Sequence, residues 1–578
     1  MALAGTVVDT LLSDSAFATT GDNHNATPKT GGVLKVGIGS EVPDKMHFTG
    51  STGKLDSNGF CIANAVYDAL FVAAADGSTW LPNLAVSATP DSKFINWTIK
   101  LRQGVNFHDG TPFNADAVVA NYNAAKADTT VGLAIGPLIA SVTKVDAYTV
   151  TYTVKQPWTT FPFNLAEQQI GYMADPGNFT ANGRTPNGTG PFKYKSWSWT
   201  SAGNGDVAAF DRNPSYWKKD AAGRSLPYLD GIEFHVIVDQ GARYTALKNG
   251  TVDLIVNTDG QTISTMLGDS SIVVRTDEND PRDPSLNCLI MNLQQGAAPV
   301  KGAVNPSDGS WNSSAKSVVA DVNIRMACAY AINRSTWYQV FDNGKVGHIA
   351  DGLYRTKSPY YVDPKYPKFN TTTAKSYVTK WKKANSGAPS FVIDTVQGSA
   401  EQDAQFSFIQ QALSAVGINV TQRKLTQPDL INKKIAKTYD ASTWVQFGGL
   451  VPDTNYVWFQ SGSSPFGYIP NYVNFAQQAD KNVENAMLAA LAAKPGTSAK
   501  KTAWAKVNTL FAQDLPYLWL DTTLTAWAAA PDVMNFTYAA GPSASQTGTG
   551  VSCSTQNMGP DGGSTRFEYI WFTDPNSH

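Results

Sequence analysis

Trp97-Thr98-Ile99-Lys100-Leu101-Arg102-Gln103-Gly104-Val105-Asn106-Phe107-His108-Asp109-Gly110-Thr111-Pro112-Phe113 is the stretch on which the fold turns. Trp97, Ile99 and Leu101 alternate with Thr98 and Lys100, the period-2 pattern of a strand with one buried face. Gly104 and Asp109-Gly110 then turn the chain. Asn114 stands where a helix cap is needed, ahead of Val118, Tyr122 and Ala125. The order is strand, turn, helix.

Working outward, Val33-Leu34-Lys35-Val36-Gly37-Ile38-Gly39 follows Gly31-Gly32 and reads as a strand. Its Gly37-x-Gly39 lacks the third glycine of a dinucleotide fingerprint. Tyr148–Val154 and Ile232–Val238 are further β-runs. Ile324, Ala327, Cys328, Ala331 and Ile332 form a helical stripe behind the cap candidate Asp321. Phe406, Ile409, Leu413 and Val416 repeat that spacing up to Gly417, after which Ile418-Asn419-Val420 starts a strand. Trp504, Val507, Leu510 and Phe511 make another such helix, closed by Pro516. Helices that feed strands throughout predict α/β lobes. Beyond Gly541 the chain is rich in Ser, Gly, Thr and Gln until Arg566–Phe572, which reads as a docked terminal segment.

With 578 residues the chain exceeds one hydrophobic core, and roughly three or four structural units are expected. A formal net charge of -2 with scattered basic residues excludes the basic stripe of a nucleic-acid binder. No apolar run approaches the ~20 residues of a membrane-spanning helix. Residues 1–30 are read as a disordered leader; Leu3-Ala4-Gly5 has the form of a lipobox without its cysteine and Ala16-Phe17-Ala18 that of a cleavage site. Cys61, Cys288, Cys328 and Cys553 have no CxxC spacing, and their pairing stays open.

His24, His47, His108, His235, His348 and His578 are isolated from one another, so no metal site is expected. There is no GxSxG elbow for a serine nucleophile and no GKS or GKT loop for a phosphate. The expectation is therefore no catalytic residue, no cofactor and no enzyme.

Taken together, these segments resemble the family 5 extracellular solute-binding proteins, the dipeptide-, oligopeptide- and nickel-binding components of ABC importers. The hallmark is Trp97–Phe113. In family order follow Gly188-Thr189-Gly190-Pro191-Phe192, Arg212-Asn213-Pro214-Ser215-Tyr216-Trp217, Leu247–Asp253, Val322-Asn323-Ile324-Arg325 with Ala329–Arg334, and Val416–Val420. The resemblance implies a type II, Venus-flytrap α/β fold with a ligand enclosed between two lobes. Lobe I would comprise 31–75, 185–291 and 523–578, with a subdomain, 76–184, inserted; lobe II would be 292–522. The chain would cross the hinge near Ile290-Met291-Asn292 and return between Trp519 and Thr525.

The family resemblance also implies a function: capture of a small ligand in the periplasm or at the outer face of the cell membrane and delivery to ABC importer permease subunits, by a monomer, with lipid anchoring of the native precursor left open. A secreted hydrolase and a surface receptor uncoupled from transport are the alternatives. The aromatic, Gly-punctuated segment Trp444–Trp458 looks like the family's ligand-facing loop, giving Trp444, Gln446, Phe447, Asp453 and Asn455 as binding candidates. Asp56, Ser57, Asn58, Asn292, Tyr354 and Arg355 complete the set. Peptide-binding members place an aspartate soon after the tryptophan; here Gly448-Gly449 takes that place and the nearest acid is Asp453. A peptide, an amide-like compound and an oligosaccharide stacked on Trp444 or Phe447 all remain open as ligands.

Overall fold

The computed structural model describes residues 27–39, 57–73, 79–127, 138–179, 185–198, 205–220, 222–276, 285–294, 317–397, 399–446, 451–461, 463–464, 467–468, 473–523, 525–536 and 567–578. Three sheets organise them. The first has the strand order Val273–Thr276, Ala526–Ala529, Leu254–Asn257, Val33–Ile38, Gly231–Val236, Val207–Arg212, Phe192–Ser198. The second runs Asn419–Leu425, Ser390–Val396, Ala441–Gln446, Ser285–Met291, Tyr517–Thr523. The third, Ala85–Pro90, Asn96–Leu101, Thr149–Val154, Ile139–Asp146, is all antiparallel and lies within the insert.

The hallmark stretch folds as its pattern requires. Along Asn96–Leu101 burial alternates strictly, with Trp97, Ile99 and Leu101 inward. Gly104 and Gly110 take φ of +75° and +93°, backbone that a side chain rarely adopts. The Asn114 Oδ1 accepts from Ala117 N at 3.1 Å and starts the helix Ala115–Ala127.

His108 joins this turn to the body built on the first sheet, the first body, as distinct from the second body built on the second sheet: its Nε2 donates to Gly190 O at 3.0 Å, and burial pushes its pKa down to about 4, so it works as a neutral tie. At that junction the backbone of Gly188 and Gly190 lies against Val66, whose carbonyl oxygen would sit 2.2 Å from a Cβ placed on Gly188. The glycines of the Gly-Thr-Gly stretch are there because nothing larger fits.

Later helices also match their stripes. Val322–Ala331 is capped by Asp321, which accepts from Asn323 N, and buries Ile324, Ala327, Cys328 and Ala331. The helix Ala400–Ser414 buries Phe406, Ile409 and Leu413, and the chain reverses at Gly417 with φ +84°. Phe567–Tyr569 and the strand Trp571–Phe572, paired with Val533–Met534, form the docked terminal segment; Arg566 lies outside the described residues. Cys61, Cys288 and Cys328 are buried, and Cys553 lies outside the described residues. No helix among the described residues is long and apolar enough to cross a membrane.

One boundary differs from the sequence expectation. Ser285–Met291 pairs antiparallel with both Ala441–Gln446 and Tyr517–Thr523, so it belongs to the second sheet. The first crossing between bodies therefore falls between Thr276 and Ser285 rather than at Ile290-Met291-Asn292. An apolar strand fits either sheet, and only its long-range partners decide. The return crossing lies between Thr523, in the second sheet, and Ala526, in the first.

Candidate ligand-binding site

Topology places the site before any side chain is considered. In the second sheet Ser390–Val396, Asn419–Leu425 and Ala441–Gln446 are parallel, and their carboxyl ends lie beside Ser285 and Thr523, where the crossings begin and end. In the first sheet Val33–Ile38, Gly231–Val236 and Leu254–Asn257 are parallel; Asn257 at one carboxyl end pairs with Ala526, where the return crossing arrives. The two sheets thus turn the carboxyl ends of their parallel strands toward the same crossings. In open α/β sheets that is the side on which ligands bind.

On the second-sheet rim stand Trp444, Gln446 and Asn455. Trp444 is half-buried, its ring edge-on to Phe475 at 5.3 Å between centroids, with Lys434 Nζ 4.8 Å from its ring centre. The buried Gln446 donates through Nε2 to Asn455 Oδ1 at 3.4 Å. Gln446 and Asn455 meet at this strand end, with Trp444 two residues earlier in the strand Ala441–Gln446. Tyr354 and Arg355 sit elsewhere in the second body: Tyr354 is buried against Tyr360, and the neighbouring Leu353 N donates to Asn508 Oδ1 at 2.8 Å. Ser57 and Asn58 open the helix Ser57–Val66, their side chains outside the description; Asp56 and Phe447 lie outside the described residues.

Two candidates are occupied by the protein itself. Asn292 is fully buried and donates to Lys437 O at 3.2 Å and Tyr439 O at 2.8 Å, fastening the end of its strand. Asp453 is fully buried too. Its Oδ2 accepts from Lys500 Nζ and Thr160 Oγ1, and its Oδ1 accepts from Trp504 Nε1 at 2.7 Å. A buried carboxylate requires such partners, and here all are supplied by the chain.

Sequence reading missed a group of carboxyls at the junction of the bodies. Asp521 accepts from Asn287 Nδ2 and Trp337 Nε1, and Asp342 faces it. Asp342 also abuts Gly260, the first residue of the first-body helix Gly260–Leu267, whose cap is Asp259. Glu401, at the start of Ala400–Ser414, is open to solvent and accepts from Gln405 Nε2 at 3.0 Å.

Among the described residues none of these four acids forms an ion pair. Burial, reinforced by mutual repulsion with Asp521, raises the Asp342 carboxyl; burial also raises Asp521. Although its side chain reaches solvent, surrounding protein and the charges of Asp259 and Asp521 push Glu401 up to about 7. The available signal was Asp521 itself, a carboxylate in the otherwise apolar run Tyr517-Leu518-Trp519-Leu520. Asp342 and Asp521 are 8% and 1% exposed, whereas Glu401 reaches solvent. No cluster that could hold a metal ion occurs among the described residues.

A two-bodied α/β protein, joined by two crossings and facing strand ends toward them, is the architecture of a binding protein that encloses its ligand. The chain belongs to the bacterial extracellular solute-binding proteins, family 5, whose model matches residues 79–468. It is 34% identical over 202 residues to the glutathione-binding protein GsiB of Pectobacterium atrosepticum, covering 34% of this chain and 37% of that protein. To the Escherichia coli K12 GsiB it is 32% identical over 196 residues, 33% and 36% of the two chains. The similarity thus spans little more than a third of these relatives' length.

Among solved structures, DppA of Helicobacter pylori in complex with peptide STSA superposes with a TM-score of 0.72 at 17% identity, over 94% of this chain and 99% of that one. AgaA of A. tumefaciens R10 in complex with agropinic acid gives 0.74 at 19%, again over 94% and 99%. These likenesses bear on the fold, which is that of the periplasmic binding proteins.

Proposed function

We propose that the protein captures a peptide or a related small amide-bearing compound between its two bodies, outside the cytoplasm, and presents it as a monomer to the permease subunits of an ABC importer. The supporting observation is that the carboxyl ends of the parallel strands in both sheets converge on the same crossings. A ligand placed there touches both bodies and so favours the closed arrangement.

Trp444 offers an aromatic wall and Gln446 and Asn455 offer amides that fix orientation, as a pocket of this kind requires. Tyr354, Arg355 and Phe447 remain contributors in this reading. The GsiB relatives are glutathione-binding proteins by name, and glutathione is accordingly the first compound to try.

The test is a thermal-shift screen of the purified protein with glutathione, di- to tetrapeptides, oligosaccharides and opine-type sugar conjugates, with mass spectrometry of the denatured protein to detect a copurified ligand. A compound at about 1,000 times its dissociation constant adds about 4 kcal/mol of stability. The reading expects such a shift for one chemical class. Its abandonment would follow if no compound shifted the transition and no copurified ligand were found.

A further inference from the structure

The insert does not pack on the first body alone. The segment Trp158–Phe163 reaches the second body and is taken up there by a set of fully buried groups. Thr160 Oγ1 donates to Asp453 Oδ2. Thr159 N donates to Leu491 O at 3.0 Å, and its hydroxyl donates to Ala493 O at 2.7 Å, at the end of the helix Lys481–Ala492. The Trp158 ring stands edge-on to Tyr456 at 6.1 Å between centroids. Trp158, Thr160, Asp453, Tyr456, Lys500 and Trp504 are each 2% exposed or less.

The chemistry of this contact is asymmetric. On the second body Asp453 keeps Lys500 and Trp504 as partners with or without the insert, since both sit on the helix Ser498–Asp514. Withdrawing Thr160 leaves that ion pair intact and frees one acceptor site, which water can satisfy. The insert's side loses only hydroxyl and backbone bonds that water also replaces. The contact is therefore built to part without stranding a charge. It joins the bodies through space rather than through the chain, so any separation of the insert from the second body must break it.

We propose that Thr159 and Thr160 form a clasp that holds the insert against the second body in the closed state and releases it when the bodies part. Thr160 is a positioning residue: it acts through Asp453 on closure and does not touch the ligand. This proposal goes beyond ligand capture and is tested without a ligand.

Spin labels are placed at Val145→Cys on the insert, where the side chain is 61% exposed, and at Lys481→Cys on the second body, in a Cys553→Ser background. Their separation is read by pulsed electron resonance in the ligand-free protein. The clasp predicts a short and a long separation in exchange. Thr160→Val, which keeps the shape and loses the donor, should raise the long-to-short ratio about tenfold, the scale of one hydrogen bond to a charged group. Thr160→Ser should restore it. Thr159→Val is the second variant and should move the ratio the same way. One short separation, unchanged in every variant, would mean a permanent contact and overturn the proposal. So would a long separation alone in the parent protein.

Discussion

The pair Asp453 and Lys500 shows how burial decides a residue's role. Each side chain is fully enclosed, and each charge is stable only because the other is there. Lys500→Met should therefore cost about 3–5 kcal/mol, read as a lower urea midpoint with an unchanged slope, because it leaves the Asp453 carboxylate without its cation. A loss below about 1 kcal/mol would show that the pair is open to water. At the junction, the opposite condition holds: among the described residues no cation pairs with Glu401, Asp342 or Asp521.

The native state keeps a proton on Glu401 up to about 7, whereas an unfolded glutamate loses it near pH 4.3. Across that interval the unfolded chain binds fewer protons, so this group's contribution to stability falls as pH rises. His108, with its depressed pKa, has the opposite slope, but above pH 7 it is neutral in both states. From pH 7 to pH 8.5 the urea midpoint should thus decline as the raised carboxyls of Asp342 and Glu401 ionise, and Asp342→Asn together with Glu401→Gln should flatten the decline. A midpoint that rose over this range would contradict the assignment.

At the scale of elements, two glycines separate two kinds of constraint. Gly417 has φ +84° with open space where a Cβ would go, so Gly417→Ala carries only backbone strain and should cost about 1 kcal/mol. Gly188 has ordinary backbone but a carbonyl oxygen in the Cβ position. Gly188→Ala must push its own segment off the end of the helix Ser57–Val66 and should cost about 3 kcal/mol or more, comparable to the worst overpacked cores. Equal costs in a parallel denaturation series would refute the distinction.

Local elements were legible because their causes are local: alternation gave Asn96–Leu101, the Asp321 cap and the spacing after it gave Val322–Ala331, and Gly417 ended its helix. The sheet that Ser285–Met291 joins was not legible, since apolar alternation names a face and not a partner. The site divides the same way. Gln446 and Asn455 are near in sequence and meet in space. Thr160 and Asp453 are 293 residues apart, and the acids of the junction come from separate helices and a strand, so no spacing rule links them.

For the whole molecule, the account rests on two bodies that meet at facing strand ends and close on what lies between them. The contact of the insert with the second body at Thr160 and Asp453 adds a further join between them. Closure linked to ligand requires that the ligand bind the closed arrangement better than the open one. The most direct measurement is small-angle X-ray scattering of the protein, freed of any copurified compound, with and without a saturating amount of the compound that raises its melting temperature. The account predicts that the radius of gyration contracts when the compound is added, and that Trp444→Ala weakens the compound's binding by about tenfold or more, the scale of a lost aromatic contact at a buried wall. A compound that stabilises the protein while the radius of gyration stays the same would contradict capture by closure.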